Sequence, residues 1–229
     1  MIAENAMPLM DSPRIVNPAG DVLNREFFFI KNAVKWSEAK TSDKFEIYDP
    51  LNKELIIKCN EPNIGGLTKM ARFFGGHHDE GSAFELVAKN AISEQILFRV
   101  ARKNATLSFE GPPITFFDQS DALVGHMKKK VWTFGLKYRV YNDQKEDLVE
   151  LHFKSSWRLI SIRVANTEIA SLGRNHQPAF EDYFRELNCN YCLRIAPEVP
   201  ANAPLRVILM GSAVAWRRIN IRTKIPLPL

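Results

Sequence analysis

Apolar and polar residues alternate with period two along most of the chain after about Arg25. The clearest case is FEIYDPLNKELIIKC, Phe45 to Cys59. Phe45 and Ile47 alternate with Glu46 and Tyr48, DPLNK supplies a turn, and ELIIKC returns. Strict alternation predicts a half-buried strand, and Asp, Asn and Pro at the break favour a turn. The pattern recurs in FELVAKNAISEQILFRVAR, ITFFDQSDALVGHMKKK, YRVYNDQKEDLVELHFK and ISIRVANTEIASLGR. Its spacing is irregular, which excludes a solenoid of fixed period. The chain reads as consecutive hairpins of an antiparallel meander. Either any antiparallel protein would give such hairpins, or the chain carries an internal duplication.

Three stretches break the alternation. GGLTKMARFFGG, Gly65 to Gly76, places Leu67, Met70, Ala71 and Phe74 on one helical face. PAFEDYFREL, Pro178 to Leu187, has Pro at its start and the spacing Phe180, Phe184, Leu187, a short helix signal. The third, PLRVILMGSAVAW from Pro204 to Trp216, is apolar on nearly every side, with only Arg206 and Ser212 polar. It is shorter than the roughly 20 apolar residues a membrane span needs. A helix hydrophobic all round must be wrapped on all sides. About twelve strands in one open sheet would leave exposed edges. Closing them into a barrel removes the edges but leaves an interior too wide for side chains alone to fill. The expected fold is therefore mainly β: a closed antiparallel barrel enclosing a C-terminal hydrophobic helix at about 203–217.

Residues 1–22 are rich in Pro, Asn and Ala without periodicity and read as a flexible arm; 23–229 read as a single barrel domain. The start lacks a basic segment followed by an apolar block, so no secretory signal is expected. The chain has 229 residues and three cysteines, Cys59, Cys189 and Cys192. That count argues against a disulfide framework and suits a reducing compartment. The expectation is a cytoplasmic protein without a transmembrane span. Lys and Arg number 31 against 26 Asp and Glu, a net charge of +5, compatible with an anionic partner without requiring one.

A strand-pair meander followed by an apolar C-terminal helix resembles the tubby C-terminal-like superfamily, which includes tubby proteins, phospholipid scramblases and plant LURP-one-related proteins. The resemblance spans about residues 25–220. It rests on FFIKNAVKWSEAKTSDKFEIYDPLNKELI, HFKSSWRLISIRVANTEIASLGR and NYCLRIAPEVPANAPLRVILMGSAVAW. It implies a twelve-stranded barrel around a hydrophobic helix, and either phosphoinositide binding or a link to calcium-dependent phospholipid movement. The chain departs from the scramblase branch in having no cysteine-rich run, no long Pro-rich arm, and Arg217 and Arg218 where those proteins often place an acidic residue. Calcium is thus implied only by the resemblance and not by a motif; no other cofactor is expected.

Most candidate chemistry reads as structural. HHDE, with His77, His78 and Asp79, is the most metal-like run, yet structural zinc sites use two spaced ligand pairs, and a solvated loop is the better reading. Glu181 and Asp182 are too few oxygens for a calcium site of six to eight ligands. CNYC has redox spacing, but if it lies within a strand, Cys189 and Cys192 point to opposite faces. His126, His152 and His176 are scattered singly. Nucleophile-elbow, phosphate-loop and zinc-protease motifs are missing, so a non-enzymatic role is expected.

The positive signal is basic. HMKKKVW places Lys128, Lys129 and Lys130 beside Trp132; RVARK holds Arg99, Arg102 and Lys103; WRRINIRTK holds Arg217 and Arg218. Lys and Arg near an anionic bilayer contribute about 1 kcal/mol each, and Trp favours the interface. Peripheral binding of anionic phospholipid headgroups, phosphoinositide or phosphatidylserine, is the leading expectation. The competing account is that lysines keep strand edges soluble. The alternative functions are a protein-interaction scaffold, with Phe73, Phe74 and Trp132 as an aromatic patch, or a nucleic-acid-binding regulator, for which no DNA-reading motif is present.

Overall fold

The computed structural model describes residues 20–33, 43–62, 83–103, 112–130, 137–153, 159–174, 178–200 and 204–220; side chains at 20, 21, 153 and 217–220 lie outside that description. Twelve strands close into one antiparallel barrel in simple sequence order, with β1 (Phe27–Asn32) pairing both β2 (Lys44–Tyr48) and β12 (Tyr191–Ile195). Between them run β3 (Leu55–Asn60), β4 (Phe84–Asn90), β5 (Ile96–Arg102), β6 (Ile114–Asp118), β7 (Leu123–Lys129), β8 (Lys137–Tyr141), β9 (Asp147–Phe153), β10 (Leu159–Val164) and β11 (Thr167–Gly173). Alternation does the sorting. Phe28, Ile30, Phe45, Ile47, Leu86, Phe116, Val140, Leu151 and Ile162 line the interior, while Lys31, Glu46, Lys58, Arg99, Lys128 and Arg139 take the opposite parity. This is the reverse of a membrane-spanning barrel, whose outer residues are apolar.

A helix of 17 residues, Pro204–Asn220, fills the barrel; it is called α3 here, after α1 (Gly20–Leu23) and α2 (Glu181–Glu186). Every side chain from Leu205 to Trp216 is buried, which bears out the expected core helix. It runs close to β5, β6, β7 and β12. At Gly211 the helix lies tight against the wall: a Cβ there would lie 2.7 Å from Phe116 Cδ1 and 3.2 Å from Val100 Cγ2. Arg206, 3% exposed, has no carboxylate partner among the described residues. Its guanidinium donates instead to the carbonyls of Leu23 (2.6 Å), Arg25 (2.9 Å), Val199 (2.7 Å) and Pro200 (3.1 Å). Burial lowers its pKa from the usual arginine value, but arginine stays charged in proteins. It thereby ties α1 and the turn after β12 to the helix start. The expected arm boundary at 22 thus falls inside a helical turn whose Leu23 is 2% exposed and part of the core.

The two rims differ. The β2–β3 and β4–β5 turns are built alike. Asp49 Oδ1 accepts from the Leu51 N–H at 2.9 Å and Asn90 Oδ1 from the Ile92 N–H at 2.9 Å. Asp49 N–H donates to Glu54 O and Asn90 N–H to Gln95 O, both at 2.9 Å. Lys53 and Glu94 take positive φ of 60° and 56°. These tight turns, with those of β6–β7, β8–β9 and β10–β11, occupy one rim; the longer connections 33–43, 61–83, 103–113 and 174–190 join strands at the other.

On the outside, the helix expected at Pro178–Leu187 is a 3₁₀ turn, Pro178–Phe180, running into α2. It lays Phe180 and Phe184 on Phe29, with ring centroids 6.0 and 5.3 Å apart. Cys189 and Cys192 join the same outer cluster. Strand alternation had set these cysteines on opposite faces. It fails because β12 begins only at Tyr191, while Cys189 N–H still donates to Phe184 O at the end of α2. The predicted helix at 65–76 lies outside the described residues.

Candidate anion-binding wall

The register of β7–β10 builds a surface that the linear sequence conceals. Outward residues stand in two rows. Lys128 faces Arg139, Arg139 faces Glu150, and Glu150 faces Arg163. In the next row Lys130 N–H donates to Lys137 O at 2.8 Å, Lys137 faces His152, and His152 faces Ser161. Two cross-strand pairs, Lys128 with Arg139 and Lys130 with Lys137, therefore carry like charge. Like charges directly opposite one another are destabilising.

Carboxylates are interleaved with these cations. Glu150 bonds Lys130 Nζ and, at 2.7 Å, His152 Nε2. Asp147 lies 3.9 Å from Lys130 Nζ and 3.6 Å from Arg139 Nη1. Arg163 donates from Nε to Ser161 Oγ at 3.1 Å, and that hydroxyl donates to Glu168. The His152 pKa is lowered from its ordinary value, first by burial and then by Lys137, Arg163 and Lys130. Its side chain, like those of Lys130 and Glu150, is about three-quarters buried.

Of the expected headgroup residues, only Lys128 and Lys130 belong to this wall. Lys129 has the opposite parity and is exposed at the end of β7, facing Tyr138 in register. Arg99 lies on the outer face of β5, stacked 3.8 Å from the Phe117 centroid and paired with Asp121 at 2.6 Å and Glu85 at 3.3 Å. Arg102 is a correction. It shares parity with Phe98 and Val100, so it sits on the inner row, 6% exposed, with its guanidinium over the Phe84 ring; it is no surface ligand. Lys103 is exposed just past β5. The backbone of Arg217 and Arg218 lies in the last turns of α3. Trp132, Phe73, Phe74, His77, His78 and Asp79 lie outside the described residues.

Glu181 pairs with Arg185 at 3.1 Å, and Asp182 is exposed beside it. Among the described residues no group of three or more His, Cys, Asp or Glu is placed to hold a metal ion, and no helix is long and apolar enough to cross a membrane.

Lys137, Arg139, Glu150, His152 and Arg163 were missed by sequence reasoning. The available signal was period two within KYRVY, LVELHF and ISIRV, which puts each on the outer face; which strands adjoin was not visible. Fold and site together define a class: a closed β-barrel with an enclosed helix and, among the described residues, a lysine- and arginine-rich outer wall on β7–β10. Compared with known proteins, the chain matches no family model, no curated protein and no solved structure.

Proposed function

We propose that this protein is a non-enzymatic member of the tubby C-terminal-like superfamily, akin to the scramblase and LURP-one branches. In this reading it binds anionic phospholipid headgroups peripherally, on the cytoplasmic side of a membrane. The observation that carries the reading is two opposed like-charge pairs, Lys128 with Arg139 and Lys130 with Lys137, on neighbouring strands. An anionic surface relieves that repulsion and accepts charge-assisted hydrogen bonds from Lys and Arg.

The test is co-flotation with neutral, phosphatidylserine, phosphoinositide and phosphatidic acid vesicles, with and without calcium. Binding is expected only to anionic vesicles and is weakened by salt. The triple variant Lys128→Gln, Lys130→Gln, Arg139→Gln should lose at least about tenfold in affinity, at about 1 kcal/mol per charge, with cooperative melting showing that the barrel is retained. Equal flotation of the triple variant rules this wall out.

A second reading, a protein-interaction scaffold, is favoured by the turn rim. There Leu51 is 77% and Ile92 89% exposed, each presented by an Asx-latched turn of the same build. Loss of partner capture on Leu51→Ser, Ile92→Ser, with no vesicle binding by the parent protein, would select it.

A further inference from the structure

The wall of β7–β10 has a centre. His152 faces Lys137 on one neighbouring strand and Ser161 on the other, with Arg163 bonded to that serine. Lys130 adjoins Lys137 through the backbone, and its ammonium reaches the same Glu150 carboxylate that His152 contacts. We propose that a compact dianion of the phosphomonoester type binds at His152 between Lys130, Lys137 and Arg163, and that its binding draws a proton onto the His152 ring. This rests on the anion-binding reading of the wall and specifies the ligand chemistry and its regulation.

Charge selects the class. The charged groups on the outer rows around this centre, among the described residues, are Lys128 and Lys130 from β7 and its end, Lys137 and Arg139 from β8, Asp147 and Glu150 from β9, Arg163 from β10 and Glu168 from β11; Lys130, Lys137 and Arg163 act on His152 directly. Among the described residues, these five cations against three carboxylates sum to +2 with His152 neutral. A phosphomonoester carries about −1.5 to −2 near neutral pH and neutralises that excess; a phosphodiester carries half as much.

The proton follows from the same arrangement. Desolvation and three neighbouring cations hold His152 below its usual pKa. A dianion among those cations opposes their effect, so binding and protonation favour each other, and reciprocally so. Glu150, bonded to His152 and Lys130, is a built-in competitor for the incoming anion.

The first experiment follows the His152 ring by NMR from about pH 8 to about pH 5 in chloride and in sulfate. Sulfate is a permanent dianion, so no titration of the ligand intrudes. Sulfate should raise the His152 pKa by about half a unit or more, and sulfate affinity should rise as pH falls. His152→Gln should bind sulfate with no such pH dependence. Arg163→Gln should weaken binding, and Glu150→Gln should tighten it roughly three- to tenfold. A His152 titration identical in chloride and sulfate, or a Glu150→Gln variant that binds no tighter, overturns the proposal.

Glycerol phosphate in solution, set against phosphatidic acid and phosphatidylserine vesicles, identifies the source. Glycerol phosphate that raises the His152 pKa without any vesicle flotation keeps the dianion site and removes the lipid reading. Equal flotation on both vesicle types with His152 unshifted keeps the lipid reading and removes this one.

Discussion

At the scale of single residues, burial decides what the cysteines can do. Cys189 and Cys192 lie among Phe29, Phe180 and Phe184, and desolvation pushes each thiol up to about 12. Cys59 inside the barrel is raised further by the same cause. A thiol that stays protonated is a poor nucleophile, so burial works against redox chemistry at the Cys-x-x-Cys spacing. Alkylation by iodoacetamide at about pH 8 should be slow in the folded protein and approach the model thiol rate in denaturant. The linkage has a definite sign. The folded pKa lies above the unfolded value of about 8.5, so unfolding is promoted once the unfolded chain ionises. Stability should be flat below about pH 8 and fall as pH rises toward about 12. Denaturation midpoints measured across that range, with Cys189→Ala and Cys192→Ala as controls, should show the slope diminish in the variants.

At the scale of elements, the core helix is held at two points by different physics. Its start is pinned by Arg206, whose charge is shared among four backbone carbonyls rather than paired with an acid. Arg206→Met keeps the bulk and leaves those carbonyls without their donor, at about 1–3 kcal/mol for a buried unsatisfied group. A loss of about 3 kcal/mol in urea unfolding is expected. Its middle touches the wall at Gly211, where added volume has nowhere to go. Phe116 and Val100 are fully buried, so Gly211→Val should destabilise by roughly 1–3 kcal/mol through overpacking despite the gain in helix propensity. A Gly211→Val variant as stable as the parent would mean that β6 yields to the helix.

At the scale of the whole molecule, barrel and helix are one cooperative object. Buried residues of all twelve strands and of α3 form one hydrophobic cluster. A chain ending at Val199 should keep strand content by far-ultraviolet circular dichroism. It should also lose cooperative unfolding and bind hydrophobic dye, as expected when packing is lost but collapse remains. Native-like cooperative melting of that truncated chain would show that the strands pack without the helix.

Much of this architecture was legible in the residues themselves. Period two marks the strands because side chains on a strand alternate faces, whatever else the chain does. An all-apolar segment bounded by Arg217 demands enclosure, and together these determine a closed barrel with a helix inside. They also place Arg163 and His152 on outward positions. The site was not legible for the same reason. Alternation assigns a face but not a neighbour, and the opposition of Lys128 to Arg139, or of Lys137 to His152, exists only once strands pair in register. Clustering in the sequence misleads in the same way. Arg99 and Arg102 are three residues apart, yet one is ion-paired outside and the other buried within. The sequence by itself determined which residues face the core and what must fill it, since those depend on local geometry and hydrophobicity. Only the tertiary structure decided which charges meet, because electrostatic energy depends on distance in space and not along the chain.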